Sequence, residues 1–142
     1  MAGADLESLL RGIEAIYADL GDPGPDVEEE YGSIELSHYG PRLDPTAEAQ
    51  ILAVVRTMRR IGGAARRGST LAAPPPSALY GTLGGAAMLM YSDFLGGHGD
   101  ELPGRLPAFA YLTTLIFLDR AEAERRSRQV EALVEAEGFF AG

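Results

Sequence analysis

The sequence predicts an all-α protein, a four- to five-helix bundle with a long acidic loop after the first helix. Three observations lead there. Apolar residues recur at helical spacing over residues 6–20 and again over 51–61. The segment from Ala78 to Tyr91 reads as a helix with no polar face, inside a stretch from Leu71 to Ser92 that holds no charged residue. A second segment of the same character runs from Pro107 to Leu118. A helix apolar all round has to be covered, and a chain of 142 residues encloses one such helix more readily than two. The surplus apolar surface points to a partner.

Residues 1–142 are expected to form one helical domain, since this length suffices for a core without disulfides or metal. Cysteine is absent, which excludes thiolate metal sites and sulfur nucleophiles and leaves the redox compartment open. The formal net charge is -9, and it is unevenly placed. Residues 1–50 carry twelve acids against Arg11 and Arg42. Arg56, Arg59, Arg60, Arg66 and Arg67 have no acid between Ile51 and Gly68. Such a balance disfavours nucleic acid and anionic membrane surfaces, which need a positive footprint. The first residues lack a basic stretch followed by an apolar run, so no secretory signal is visible and a cytoplasmic setting is expected.

In the first helix, Leu6, Leu9, Leu10, Ile13, Ile16, Tyr17 and Leu20 share one side, opposite Glu7, Arg11, Glu14 and Asp19. Asp5 is the expected N-cap, and Gly21 with Asp22-Pro23-Gly24-Pro25 ends the helix. Residues 21–43 hold three prolines, four glycines and the run Asp26-Val27-Glu28-Glu29-Glu30. They read as a loop, with a short extended piece at Ser33 to Ser37.

Asp44-Pro45 opens the second helix, Asp as cap and Pro where its missing N–H costs nothing. Ile51, Leu52, Val54, Val55, Met58 and Ile61 form its buried stripe, Arg56 and Arg60 point away, and Gly62-Gly63 is expected to weaken or end it. The arginines near its end suit the helix dipole or pair with the acidic N-terminal third. Pro74-Pro75-Pro76 then presets the third helix. Ala78, Gly81, Thr82, Gly85 and Ser92 gather on one side of it, opposite bulky Leu79, Leu83, Met90, Phe94, Tyr80 and Tyr91. Interior glycines cost about 1 kcal/mol each relative to Ala, and close approach of a neighbouring helix is the usual compensation. Gly81 and Gly85 have the small-xxx-small spacing that permits such packing. A turn over Gly96 to Gly104 leads to a fourth helix starting near Leu106 or Pro107, which is expected to run on with a bend at Asp119 toward a C-cap at Gly138.

This order of helices over Asp44 to Arg120, a helix pair, an all-apolar helix, a Gly-rich turn and another apolar helix, resembles the ligand-binding and dimerisation half of TetR-type repressors. The resemblance is one of pattern. That family's DNA-reading helix-turn-helix is missing from this chain, and no family residue is carried across.

The expected function is therefore that of a non-catalytic homodimer, a binding, regulatory or scaffolding protein whose interface uses Gly81, Gly85, Leu112, Leu115 and Ile116. Tyr80, Met88, Tyr91, Phe94, Tyr111 and Thr114 have the chemistry to line a pocket for a small apolar ligand. No cofactor, metal site or membrane span is expected, the last because spanning needs roughly 20 apolar residues. Two alternatives belong to other classes. One is a small metal-dependent or general acid/base enzyme using His98, Asp100, Glu101 and His38, although their spacing matches no metal signature. The other is an adaptor presenting the Phe139-Phe140 tail or the acidic loop to a larger assembly. No Ser lies in a Gly-x-Ser-x-Gly elbow, and no phosphate loop or dinucleotide fingerprint is present.

Overall fold

A computed structural model describes residues 3–21, 36–70 and 74–137. Its α-helices are α1 (Gly3–Ile16), α2 (Pro45–Gly68), α3 (Pro76–Leu95), α4 (Leu102–Leu115) and α5 (Arg120–Ala136), and no strand occurs among the described residues. The protein is all-α, as its periodicities predict. Short 3-10 turns follow α1 at Ala18–Leu20, precede α2 at Leu36–Tyr39 and join α3 to α4 at Gly99–Glu101.

The core draws on every helix. Leu9 and Ile13 of α1, Ile51 and Met58 of α2, Leu83 and Met90 of α3, Leu106 and Phe109 of α4, and Val130 and Val134 of α5 are all buried. Helix α2 lies in the middle, packed against α1, α3 and α4, while α5 packs on α4 and α1. Its start follows the capping logic: the Asp44 carboxylate accepts from the Thr46 and Ala47 N–H groups at 2.9 and 3.0 Å. Arg66 and Arg67 occupy its last turn, where the dipole favours cations.

Several expectations are corrected. Helix α2 passes straight through Gly62-Gly63, because the tertiary contact needs Gly62 there. A Cβ at Gly62 would stand 3.0 Å from Leu79 Cδ2 and 3.3 Å from Thr113 Cγ2, so α3 and α4 close on the bare backbone. Helix α1 begins at Gly3, which puts Asp5 inside the first turn instead of at the cap. Leu36 and Ser37 belong to a 3-10 turn, not to an extended piece, and the rest of that piece lies outside the described residues. Helix α4 starts at Leu102 and carries Pro107 inside it. The chain breaks between α4 and α5. Asp119 is extended (φ -75, ψ 169) and its carboxylate accepts from the Glu122 N–H at 2.8 Å, so a new N-cap forms where a bend was expected. Gly138 and the Phe139-Phe140 tail lie outside the described residues, as does the whole acidic run Asp26 to Glu30.

The largest departure concerns α3. Of its bulky side Leu79, Leu83, Met90 and Tyr91 turn inward but Tyr80 is exposed, and Gly81, Gly85 and Ser92 on the small side are not covered by any described residue. Lack of charge made α3 read as enclosed; in the single chain it is half exposed.

Candidate functional site

The outer sides of α3 and α4 form the feature that stands out. Gly81, Gly85, Met88, Leu89 and Ser92 are exposed on α3, and Ala108, Leu112 and Leu115 on α4. Met88 is 55% exposed, Leu112 49% and Leu115 39%. Residues 81, 85, 88 and 92 recur at helical spacing, as do 108, 112 and 115, so each set is one stripe.

These two helices carry just two charged side chains, Asp93 and Arg105, and they neutralise each other. Arg105 Nε and Nη2 each donate to an Asp93 carboxylate oxygen at 2.9 Å, a bidentate pair that ties the C-terminal end of α3 to the start of α4. The two helices therefore carry no net charge within a chain of net charge -9, while the turn that joins them holds Asp100 and Glu101.

The glycines on this face lack an internal explanation. A Cβ built on Gly81 or Gly85 meets nothing within 4 Å. Contrast Gly99, where a Cβ would overlap the Phe94 ring, so that this glycine is required by the fold. Of the residues expected at an interface, Gly81, Gly85, Leu112 and Leu115 are thus brought to the outside, and Ile116 is half-buried beside them in sequence and packs on the core.

The residues expected to line a pocket lie in different surroundings. Tyr80 and Met88 lie exposed on α3. Tyr91 is buried beneath the 3-10 turn at Leu36–Tyr39: its ring centroid is 5.8 Å from that of Tyr39, and its hydroxyl donates to the Pro41 carbonyl. Phe94 packs on Gly99, and Tyr111 is half-buried on α4. Thr114 is in the core, 2.6 Å from the Tyr17 hydroxyl. Two clefts between described elements are lined by none of the six. One cleft, about 250 Å³, is bounded by Glu14, Tyr17, Ala18, Gly21, Arg60, Ile61 and Ala64. The other, about 170 Å³, lies between Gly68, Thr70 and the α4–α5 turn. Both fall below the roughly 300 Å³ at which small-molecule sites begin.

The polar turn after α3 is open to solvent: His98, Asp100 and Glu101 are exposed, and the side chain of His38 is outside the described residues. Among the described residues no three His, Asp or Glu side chains gather as metal ligands would.

Sequence reasoning missed Arg126. This arginine of α5 is 2% exposed. Its Nη1 donates to the Ile16 carbonyl at 2.8 Å and to Asp19 Oδ1 at 3.0 Å, Nη2 to Asp19 Oδ2 at 2.9 Å, and Nε to Glu122 Oε1 at 2.6 Å. The guanidinium also lies over the Tyr17 ring, 5.1 Å from its centroid. Hydrogen bonding from Arg126 holds the Asp19 carboxyl below its ordinary range, and Arg125 and Arg126 do the same for Glu122. The burial of Tyr17 pushes its phenol up. A charged residue in the polar stripe of a helix gives no sequence signal that it will be buried, because its acceptors come from the far end of the chain.

No helix among the described residues is long and apolar enough to cross a membrane. Compared with protein-family models, with curated proteins and with solved structures, the chain shows no significant match, so its functional reading rests on geometry alone.

Proposed function

We propose that the protein is a non-catalytic helical homodimer, a cytoplasmic binding or scaffolding module in which the outer faces of α3 and α4 meet the same faces of a second copy. One observation carries this reading. Gly81 and Gly85 open onto space that no described residue fills, on the side of α3 that also exposes Met88, while α4 exposes Leu112 and Leu115 and neither helix carries an unpaired charge. Interior helix glycines cost about 1 kcal/mol each, and no described residue packs on these two to repay it. Close approach of a partner helix backbone does, with the large side chains filling the space beside it.

A second copy fits better than an unrelated protein on two counts. Two antiparallel hairpins related by a two-fold axis make a four-helix bundle, and one helix with a stripe of small residues and another with exposed leucines supply the two shapes that an isologous contact pairs. Charge agrees. Two chains of net charge -9 repel over most of their surfaces, and the bodies of α3 and α4, where Asp93 and Arg105 cancel, are where they can approach.

Light scattering on the purified chain at micromolar concentration tests the proposal. A dimer mass is expected, and Leu112→Glu, at an exposed position, is expected to give a monomer with unchanged helical circular dichroism. A wild-type monomer under those conditions overturns it.

A further inference from the structure

The cleft between the end of α1 and the second half of α2 has room and accessible charge. Its volume of about 250 Å³ equals the liquid volume of roughly eight waters at about 30 Å³ each. That is too little for a drug-sized ligand and enough for a molecule of amino-acid size. Burial sorts its lining. Ile61 and Ala64 of α2 are buried and form an apolar floor, with Ala18 exposed at its edge. Glu14 and Arg60 stand at the mouth, one charge of each sign, their side chains 29% and 48% exposed. Arg59, next in sequence, is buried with Nε and Nη2 unpartnered among the described residues and lines neither cleft, so the cation accessible here is Arg60.

Glu14 and Arg60 are joined at one point. Arg60 Nε donates to Glu14 Oε1. Arg105 and Asp93, by contrast, commit two nitrogens and both carboxylate oxygens to each other. Toward the described residues the pair at the cleft therefore leaves both Nη groups of Arg60 and Oε2 of Glu14 without a hydrogen bond. Those groups decide which ligand chemistry fits. A ligand with a single charge, of either sign, is attracted by one of the two side chains and repelled by the other at close range. A molecule with an ammonium and a carboxylate on one carbon meets an opposite charge on both sides. Free α-amino acids have that arrangement, whereas a peptide separates its amine from its carboxylate.

We propose that this cleft binds a free α-amino acid with a small aliphatic side chain. The carboxylate accepts from the Nη groups of Arg60, the ammonium donates to Glu14 Oε2, and the side chain lies on Ile61 and Ala64. The site belongs to α1 and α2 and is separate from the α3–α4 face, so its failure leaves the dimer reading untouched and the converse also holds.

Calorimetric titration of the full chain with L-valine tests it, alongside L-valinamide, which keeps the ammonium alone, and N-acetyl-L-valine, which keeps the carboxylate alone. Saturable binding of L-valine is expected, with each derivative about tenfold or more weaker for the loss of one charge-assisted contact. Glu14→Gln and Arg60→Gln, at partly exposed positions, are expected to retain helical circular dichroism and to weaken L-valine by a similar factor. The variants also sort the contacts. Arg60→Gln is expected to bind L-valine and L-valinamide alike, and Glu14→Gln to bind L-valine and N-acetyl-L-valine alike. Absence of saturable L-valine binding up to about 10 mM overturns the proposal. Equal binding of all three compounds by wild type overturns it too, without recourse to any variant, as does unchanged L-valine affinity in both variants.

Discussion

Arg126 reaches across 110 positions of sequence to place its Nη1 2.8 Å from the carbonyl oxygen of Ile16. The last turn of α1 has no basic residue of its own. Its exposed carbonyls are instead met by a cation from α5, which also holds Asp19 in the following 3-10 turn. The end of the first helix is thus defined by the last one.

Replacing Arg126 by Met is expected to lower the unfolding free energy by about 3 kcal/mol, because it removes several charge-assisted hydrogen bonds and leaves the Ile16 carbonyl unpaired. Urea denaturation followed by circular dichroism measures this. Arg126→Lys is expected to recover less than half of the loss, since a single ammonium cannot serve Ile16, Asp19 and Glu122 together. Full recovery by Lys would show that charge alone matters here.

The same network sets a pH dependence. Asp19 and Glu122 have carboxyl groups held below their unfolded values by hydrogen bonds from Arg126 and Arg125. A carboxylate whose folded pKa is depressed contributes stability that is present above the unfolded pKa and is lost as pH falls through the folded one. Stability is therefore expected to be flat near neutrality and to fall with acid below the ordinary carboxylate range, from about pH 4 downward. In Asp19→Asn that decline is expected to be shallower, because one proton-linked group is gone. The effect is modest, as the Asp19 side chain is 65% exposed and solvent screens it. Urea midpoints measured at several pH values check both the sign and the variant.

Gly85→Ala separates the needs of the monomer from those of the proposed dimer. A Cβ at this position meets no described residue within 4 Å, so the substitution is expected to raise the stability of the monomer by up to about 1 kcal/mol through helix propensity. Against a second copy the same methyl group holds the helices apart, and the dimer dissociation constant is expected to rise. Gly85→Leu is expected to abolish dimerisation. Thermal melting of a dilute sample, paired with light scattering across concentrations, reads the two effects independently. If Gly85→Leu dimerises like wild type, the interface lies elsewhere.

Thr114 supports Tyr17 from the core. Its Oγ1 donates to the Ala110 carbonyl at 2.7 Å, so the Tyr17 hydroxyl is the donor of the 2.6 Å bond between the two side chains. Thr114→Val preserves shape and deletes the acceptor, leaving a buried phenol without its partner. A loss of about 1 to 3 kcal/mol is expected. Tyr17→Phe in the Thr114→Val background is expected to restore most of it, and a double-mutant cycle by denaturation measures the coupling.

Much of the fold was legible locally. The stripe from Leu6 to Leu20, the Asp44-Pro45 cap and the split of α3 into small and bulky sides follow from periodicity and backbone chemistry, which act within a few residues of each other. The absence of charge on α3 and α4, and hence the candidate interface at Gly81, Gly85, Leu112 and Leu115, was equally visible. Tertiary structure decided what depends on distant partners. Gly62-Gly63 stays helical because Leu79 and Thr113 pack against it, whereas propensity alone argued for a stop. Arg126 and Arg59 are both buried charges, and their sequence surroundings gave no sign of it. Charge pattern records which groups a segment carries, but whether an arginine finds a carboxylate, a carbonyl or nothing is settled only when helices far apart in the chain come together.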